Sequence, residues 1–280
     1  GVDPMDALAM ATLNATRYFG IRDAGAIAPG YRADFAAVGS LENFRAEVVI
    51  KAGKVVAEGG RILLPVESPP AAPRDSVNIK RLTENDFRIP AEGSRIRVIE
   101  SRPRSLLTGE VLTAPSVKDG LCEADQARDL LKIFVIERHK GSGNIGKGFI
   151  TGLGLRRGAV GSTVSHDSHN MILVGADDAS IFKAARHLNK IGGGMVVADG
   201  DRIILDLPLP IAGLMSDRDA AWVVERLKAF DRHFHAEGLT NEAPLMTVSF
   251  MALPVIPKLK ITVRGLVDVE KFALVPLFVK

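Results

Sequence analysis

Apolar positions along this chain change period several times, and each change marks an element. Leu8, Ala11, Ala15 and Phe19 recur at helical spacing, with Asp3 placed to cap, Pro4 suited to the first helical position and Gly20 suited to the end. That spacing predicts a helix within 1–20. Pro29-Gly30 signals a turn, and Asp34 precedes an apolar run. Two short strands are expected around Val48-Val49-Ile50 and Lys54-Val55-Val56, joined at Ala52-Gly53. Three prolines within 67–76 predict an extended connector with little core.

Beyond the connector, strand-like runs occupy 95–99, 131–136, 159–164, 171–174, 195–198 and 202–205, the last two joined by a hairpin at 198–201. One helix is expected over 178–190, with Ile181, Phe182, Ala185 and Leu188 on one face and Gly192 beyond its end. A second is expected over 217–236. Ser216 and Asp219 resemble a capping box, Val223, Leu227, Phe230 and Phe234 share a stripe, and Gly238 is the stop. The stretches 247–251, 261–263 and 272–279 read as further strands. Strands, helices and hairpins in this alternation predict an α+β domain over 77–280.

Composition narrows the class. With 46% hydrophobic and 25% charged residues the chain can build a core, which excludes disorder. The net charge of +3 is small and scattered, so nucleic acid is not an expected partner. No apolar run reaches the roughly 18 residues of a membrane span, so no membrane partner is expected. Asp3 and Asp6 stand where a signal peptide would be basic. Cys122 is the single cysteine and cannot form an internal disulfide, which fits the reducing cytoplasm and a buried, inert thiol.

Three clusters carry candidate chemistry. His139-Lys140-Gly141-Ser142-Gly143-Asn144-Ile145-Gly146 contains G-x-G-x-x-G, but phosphate binding needs a helix next, and the run from Phe149 to Leu155 is strand-like. A Gly-permitted bend in a functional loop, with His139 and Asn144 as its candidates, is the better reading. His233 and His235 fall two apart on a helix and point away from each other, as expected of a solvated helix end. His187 shares a face with Lys183 and is expected to be solvated. The densest cluster is Ser165-His166-Asp167-Ser168-His169-Asn170, where imidazoles beside a carboxylate can orient a polar substrate or relay protons. An ordinary polar loop accounts for the same spacing.

Two sets of motifs carry a resemblance. Ala11-Thr12-Leu13-Asn14-Ala15-Thr16-Arg17, Gly20-Ile21 and the run from Gly25 to Asp34 resemble the closing signature of the amidohydrolase superfamily. That resemblance implies the last barrel helix over 1–20 and part of a β-sandwich with its connector over 21–76. Glu137-Arg138-His139, Gly143-Asn144-Ile145-Gly146, the 165–170 cluster, Gly192-Gly193-Gly194 and the run from Leu207 to Ser216 resemble the C-terminal domain of bacterial adenine deaminases, which implies that domain over 77–280.

The activity implied is hydrolysis of adenine to hypoxanthine and ammonia, a purine-salvage reaction. The resemblance also implies a pair of manganese or iron ions whose ligands lie in the barrel, before the first residue here. No catalytic or metal-binding residue is therefore carried over. His166, Asp167, His169 and Asn170 are expected at the active-site mouth. The chain reads as the trailing portion of a homo-oligomeric enzyme, inactive without its barrel. Two alternatives remain: a structural or oligomerisation domain, or an enzyme acting on another cyclic amidine or amide.

Overall fold

The computed structural model describes residues 1–65, 73–239, 241 and 243–279. Two compact units divide the chain, Gly1–Pro70 and Ala71–Lys280, and the fold is mixed α+β. Residues 67–72 of the expected connector lie outside the described residues. Its last part is no free linker: the Pro73 carbonyl accepts from Ala212 N–H at 2.9 Å and Arg74 pairs with Asp217 at 2.9 Å.

In the first unit α1 (Pro4–Ala9) starts where Asp3 accepts a hydrogen bond from Met5 N–H at 2.8 Å. The helix runs on through a π-helical turn, Met10–Asn14, into α2 (Ala15–Tyr18). Thr12 and Thr16 donate to the carbonyls of Leu8 and Leu13 at 2.6 and 3.0 Å, bonds that compete with the backbone ladder where the helix widens. Strands β1 (Phe35–Val38), β2 (Ala46–Lys51), β3 (Lys54–Glu58) and β4 (Arg61–Ile62) form an antiparallel meander. Ala52 and Gly53, at φ 49° and 75°, make the tight turn between β2 and β3, and Asp34 accepts from Ala52 N–H at 2.7 Å. No described residue of this unit is buried, and Val2, Met5, Met10 and Phe19 are exposed.

The second unit is built on one large sheet. Its strands are β5 (Arg95–Glu100), β6 (Gly109–Thr113), β9 (Leu131–Ile136), β10 (Ile145–Thr151), β11 (Ala159–Ser162), β12 (Met171–Gly175), β13 (Gly194–Asp199), β14 (Arg202–Pro208) and β18 (Phe278–Val279). The hairpin β7 (Ser116–Lys118) with β8 (Leu121–Glu123), and the sheet β15 (Leu259–Thr262), β16 (Gly265–Asp268) and β17 (Ala273–Leu274), lie outside it. Spatial order is β14-β13-β11-β12-β9-β10-β5-β18, with β6 also on β5. The β5–β10 pair is parallel and the others are antiparallel.

Both faces of the sheet are covered, which is why β9 reads as a nearly continuous apolar run. Leu131, Ile133 and Val135 face a core shared with Phe230 and Phe234 of α4 (Ala220–Ala236) and Val248 and Met251 of α5 (Pro244–Met251). Phe134 and Ile136 face the other core, closed by Ile181, Ala184, Ala185 and Leu188 of α3 (Asp178–Lys190). Lys132 is buried on this strand too, held by Glu123 at 3.0 Å and Asp178 at 2.7 Å.

Three expectations are corrected here. Residues 247–251 belong to α5, not to a strand; Thr247 and Ser249 alternate with Val248 and Phe250 as they would along a strand, and the true signal is Pro244 at the first helical position. Helix α4 begins after Asp219, which accepts from Trp222 N–H at 2.8 Å, while Ser216 Oγ accepts from Arg218 N–H at 3.0 Å ahead of the helix. The 272–279 stretch holds only the short β17 and β18, because over 275–277 the chain crosses from β16, with Val275 N–H on the Leu266 carbonyl at 3.0 Å, to the edge of β5, with the Leu277 carbonyl accepting from Arg97 N–H at 2.8 Å.

Candidate functional site

Strand register gathers four loops at one end of the sheet. Ile136 lies opposite both Ile145 and Met171, Ser162 opposite Met195, and Gly194 opposite Pro208. Loops 137–144, 163–170, 192–193 and 209–216 therefore emerge on the same side. Every segment whose motif resembles the adenine deaminase C-terminal domain is brought together here.

Arg138 ties them. Its side chain is 1% exposed and leaves the end of β9 directly. Nε donates to the His169 carbonyl, Nη1 to the Ser76 carbonyl at 3.3 Å and Nη2 to the Ala212 carbonyl at 3.1 Å. Its backbone N–H donates to Asn170 Oδ1 at 3.3 Å. Burial pushes the Arg138 pKa down, yet a guanidinium stays charged, so a buried cation held by carbonyls sits at the hub. Glycine is required around it: a Cβ on Gly213 would reach Arg138 Nη1 at 2.8 Å, and one on Gly193 would reach Gly213 Cα at 2.6 Å. Thr163 Oγ1 fastens the same corner, donating to the Gly213 carbonyl at 2.6 Å and accepting from Gly194 N–H at 2.7 Å.

The 163–170 loop is closed on itself. His169, at φ 49°, donates its N–H to the Ser165 carbonyl at 2.6 Å. Its Nδ1 accepts from Ser165 N–H at 3.4 Å, which assigns the proton of the neutral ring to Nε2. That Nε2–H makes no hydrogen bond among the described residues. The rings of His166 and His169 lie 5.7 Å apart edge to face, and Phe250 of α5 lies 4.6 Å from His166. His166 N–H donates to the Ser249 carbonyl at 3.1 Å. Burial lowers the His169 pKa, and nearby His166 and Arg138 lower it further against the opposing Asp167. His169 is thus held neutral near pH 7, able to donate one hydrogen bond.

The remaining candidates fall unevenly. Asn170 is buried and binds Ser168 Oγ through Nδ2 at 3.0 Å, so it shapes the loop. Asp167 is exposed. His139 joins the cluster, its Nε2 2.8 Å from the Ser168 carbonyl. Asn144 does not: its backbone carbonyl accepts from Glu137 N–H at 3.0 Å while the residue stays exposed. The Gly-rich loop runs into β10, not a helix, and four of its amides are already taken, that of Asn144 by Ser142 Oγ at 3.3 Å. Glu137 accepts from the N–H groups of His139, Lys140 and Ser142 at 2.6, 2.8 and 2.9 Å. Burial raises the Glu137 pKa, but these bonds outweigh it and bring it to about 2.

Sequence reasoning missed Arg138 as the hub, although an arginine at the end of an apolar strand was the available signal. It also missed two buried hydroxyls bordering the loop, Ser76 and Ser249, whose Oγ atoms, like that of Ser165 within it, have no hydrogen-bond partner among the described residues. Elsewhere His187 is not simply solvated, since Nε2 lies 2.8 Å from Asp206. His233 and His235 lie in the last turn of α4. Cys122 is buried, which pushes its thiol pKa up. Among the described residues no group of His, Cys, Asp and Glu side chains is placed to hold a metal ion, and no helix is long and apolar enough to cross a membrane.

Comparison with known proteins gives this geometry a family. Residues 1–56 match the model of the amidohydrolase family, and residues 105–273 that of the adenine deaminase C-terminal domain. An adenine deaminase of Methanothrix thermoacetophila is 46% identical over 281 residues, covering 100% of this chain and 49% of the relative. Adenine deaminases of Thermosipho africanus and Brucella abortus are 41% and 44% identical, covering 100% and 98% of the chain and 49% and 47% of their own lengths. The chain thus spans about half the length of the curated relatives it matches. With the second match extending over most of the large sheet and all four gathered loops, the chain belongs to the adenine deaminase C-terminal domain family.

Proposed function

We propose that this chain is the C-terminal part of an adenine deaminase, contributing the wall or cover of a purine pocket to an enzyme that releases hypoxanthine and ammonia. The observation that carries the proposal is the loop cluster itself. A neutral His169 presents an unpaired Nε2–H beside the His166–Phe250 pair, with unpartnered hydroxyls behind it. A ring nitrogen of a purine accepts such a donor, and flat rings stack on such a pair. Asp167, exposed at the loop tip, would order water or substrate at the mouth.

The described residues do not fit a metal site. The manganese or iron pair expected of this reaction would be held by the amidohydrolase part, where it would supply activated water. No step is assigned to residues of this chain beyond binding, orienting and excluding solvent. The exposed apolar side chains of the helix Pro4 to Tyr18 support a reading in which 1–20 packs as the last barrel helix and 21–76 as part of a β-sandwich. A homo-oligomeric enzyme of the cytoplasm completes the reading.

The test uses the full-length enzyme. His169→Ala should lower kcat/KM for adenine by about tenfold, a donor's worth of binding, with metal content unchanged. Unchanged efficiency would leave the loop a structural role only.

A further inference from the structure

A second candidate site lies on the α3 face of the sheet, away from the His166–Asn170 loop. A groove of about 1090 Å³ runs between α3 and the extended segment beyond Asn78. That segment leaves the hub directly, Asn78 N–H donating to the Arg138 carbonyl at 2.7 Å. Lys183, Arg186 and Lys190 recur at three- and four-residue intervals and so line one side of α3. Arg81 approaches from the facing segment, and Lys80 borders the groove with its side chain along Gly143 of the 137–144 loop. None of these five cations is ion-paired with a carboxylate among the described residues. Elsewhere in the second unit cations are commonly paired, as at Arg97–Glu110, Lys132–Asp178 and Arg157–Glu237.

Like charges three and four residues apart on α3 repel one another, and among the described residues Glu84 is the one carboxylate lining the groove. The negative end of the helix dipole favours Arg186 and Lys190 in the last turns of α3. It does not account for Lys80 and Arg81, which belong to another segment. From Lys183 to Lys190 the helix advances about 10 Å, more than one phosphate group spans. Phe182 lines the same groove between Phe87, 6.1 Å away, and Arg186, whose guanidinium lies 5.5 Å over its ring and is held at the groove wall by it. We infer that this groove binds a small molecule carrying two or more phosphates, of nucleotide size. A bounded groove on a chain of net charge only +3 favours such a ligand over a nucleic-acid strand.

Calorimetric titration of the 280-residue chain tests it, with ATP, inorganic tripolyphosphate, adenosine and a short single-stranded RNA as probes. Both polyphosphates should bind at low salt and weaken as salt rises, and adenosine should not bind. The K183E/K190E double variant should weaken ATP by about tenfold or more. K80Q/R81Q, whose changes lie outside any helix, should do likewise, and it decides the matter if the first variant does not fold by circular dichroism. Failure of both polyphosphates to bind, or equal binding by a folded variant, overturns the inference. So does RNA binding that ATP cannot displace.

Discussion

At the residue scale, two buried cations behave differently because of what surrounds them. Arg138 spreads its charge over a planar fork that meets three carbonyls, from His169, Ser76 and Ala212. A lysine cannot reproduce that fork, and each buried acceptor left unpaired costs about 1–3 kcal/mol. Arg138→Lys should therefore destabilise the chain by about 2–4 kcal/mol in urea unfolding. Lys260 is the opposite case. Its side chain is 0% exposed, its Nζ donates to the Leu106 carbonyl at 3.0 Å, and burial lowers its pKa from 10.5 to about 8. Between those values the unfolded chain still holds the proton and the folded chain has lost it, so wild-type stability rises with pH from about 8 to about 10.5. Lys260→Met removes the penalty, partly offset by the lost bond to Leu106. It should stabilise by about 1–3 kcal/mol near pH 7, with the gain gone above pH 10.5. A destabilised variant in pH-resolved unfolding would show that the ammonium is better solvated than its burial indicates.

At the element scale, caps and strand ends decide what is visible in the chain before folding. Asp177 accepts from Ser180 N–H at 2.7 Å and from Ser180 Oγ at 2.8 Å, opening α3. Asp177→Ala should cost about 1–2 kcal/mol by thermal or urea unfolding, the ordinary worth of such a cap. Helix α3 was legible residue for residue because its polar and apolar positions alternate with a clean period between a capping aspartate and Gly192. Strand β9 was legible as an unbroken apolar run. Helix α5 was not, since Met246, Val248 and Phe250 alternate with Thr247 and Ser249 at a strand's period of two, whereas its core contacts, Leu245, Val248 and Met251, keep helical spacing. The hairpin of β7 and β8 escaped because three residues per strand is too short to show a pattern. The His166–Asn170 loop was found from the density of its side chains. Its partners Phe250 and Ser249 were not, because they reach it only through the fold.

At the scale of the whole molecule, the two units differ in what holds them. The second has a core on each face of its sheet, and the first has no buried residue among those described. Unfolding should therefore proceed in two steps, the first unit preceding the second. The aromatic residues separate the steps. Both tyrosines, Tyr18 and Tyr31, lie in the first unit, and the single tryptophan, Trp222, lies in the second. Excitation that isolates Trp222 should report only the later transition, while the tyrosine signal should move earlier in denaturant. Coincident curves would mean that the units fold as one.

Strand β18 pairs with the start of β5, Phe278 opposite Ile96 and Val279 opposite Arg95. As the ribosome makes this chain, β5 is finished long before β18 and must wait for all the strands between them before that partner exists. Until then part of its backbone is an open rim that a neighbouring nascent chain can occupy. Loss of β18 alone would make this transient opening permanent, so damage at Phe278 and Val279 should show itself as aggregation rather than as a lost activity.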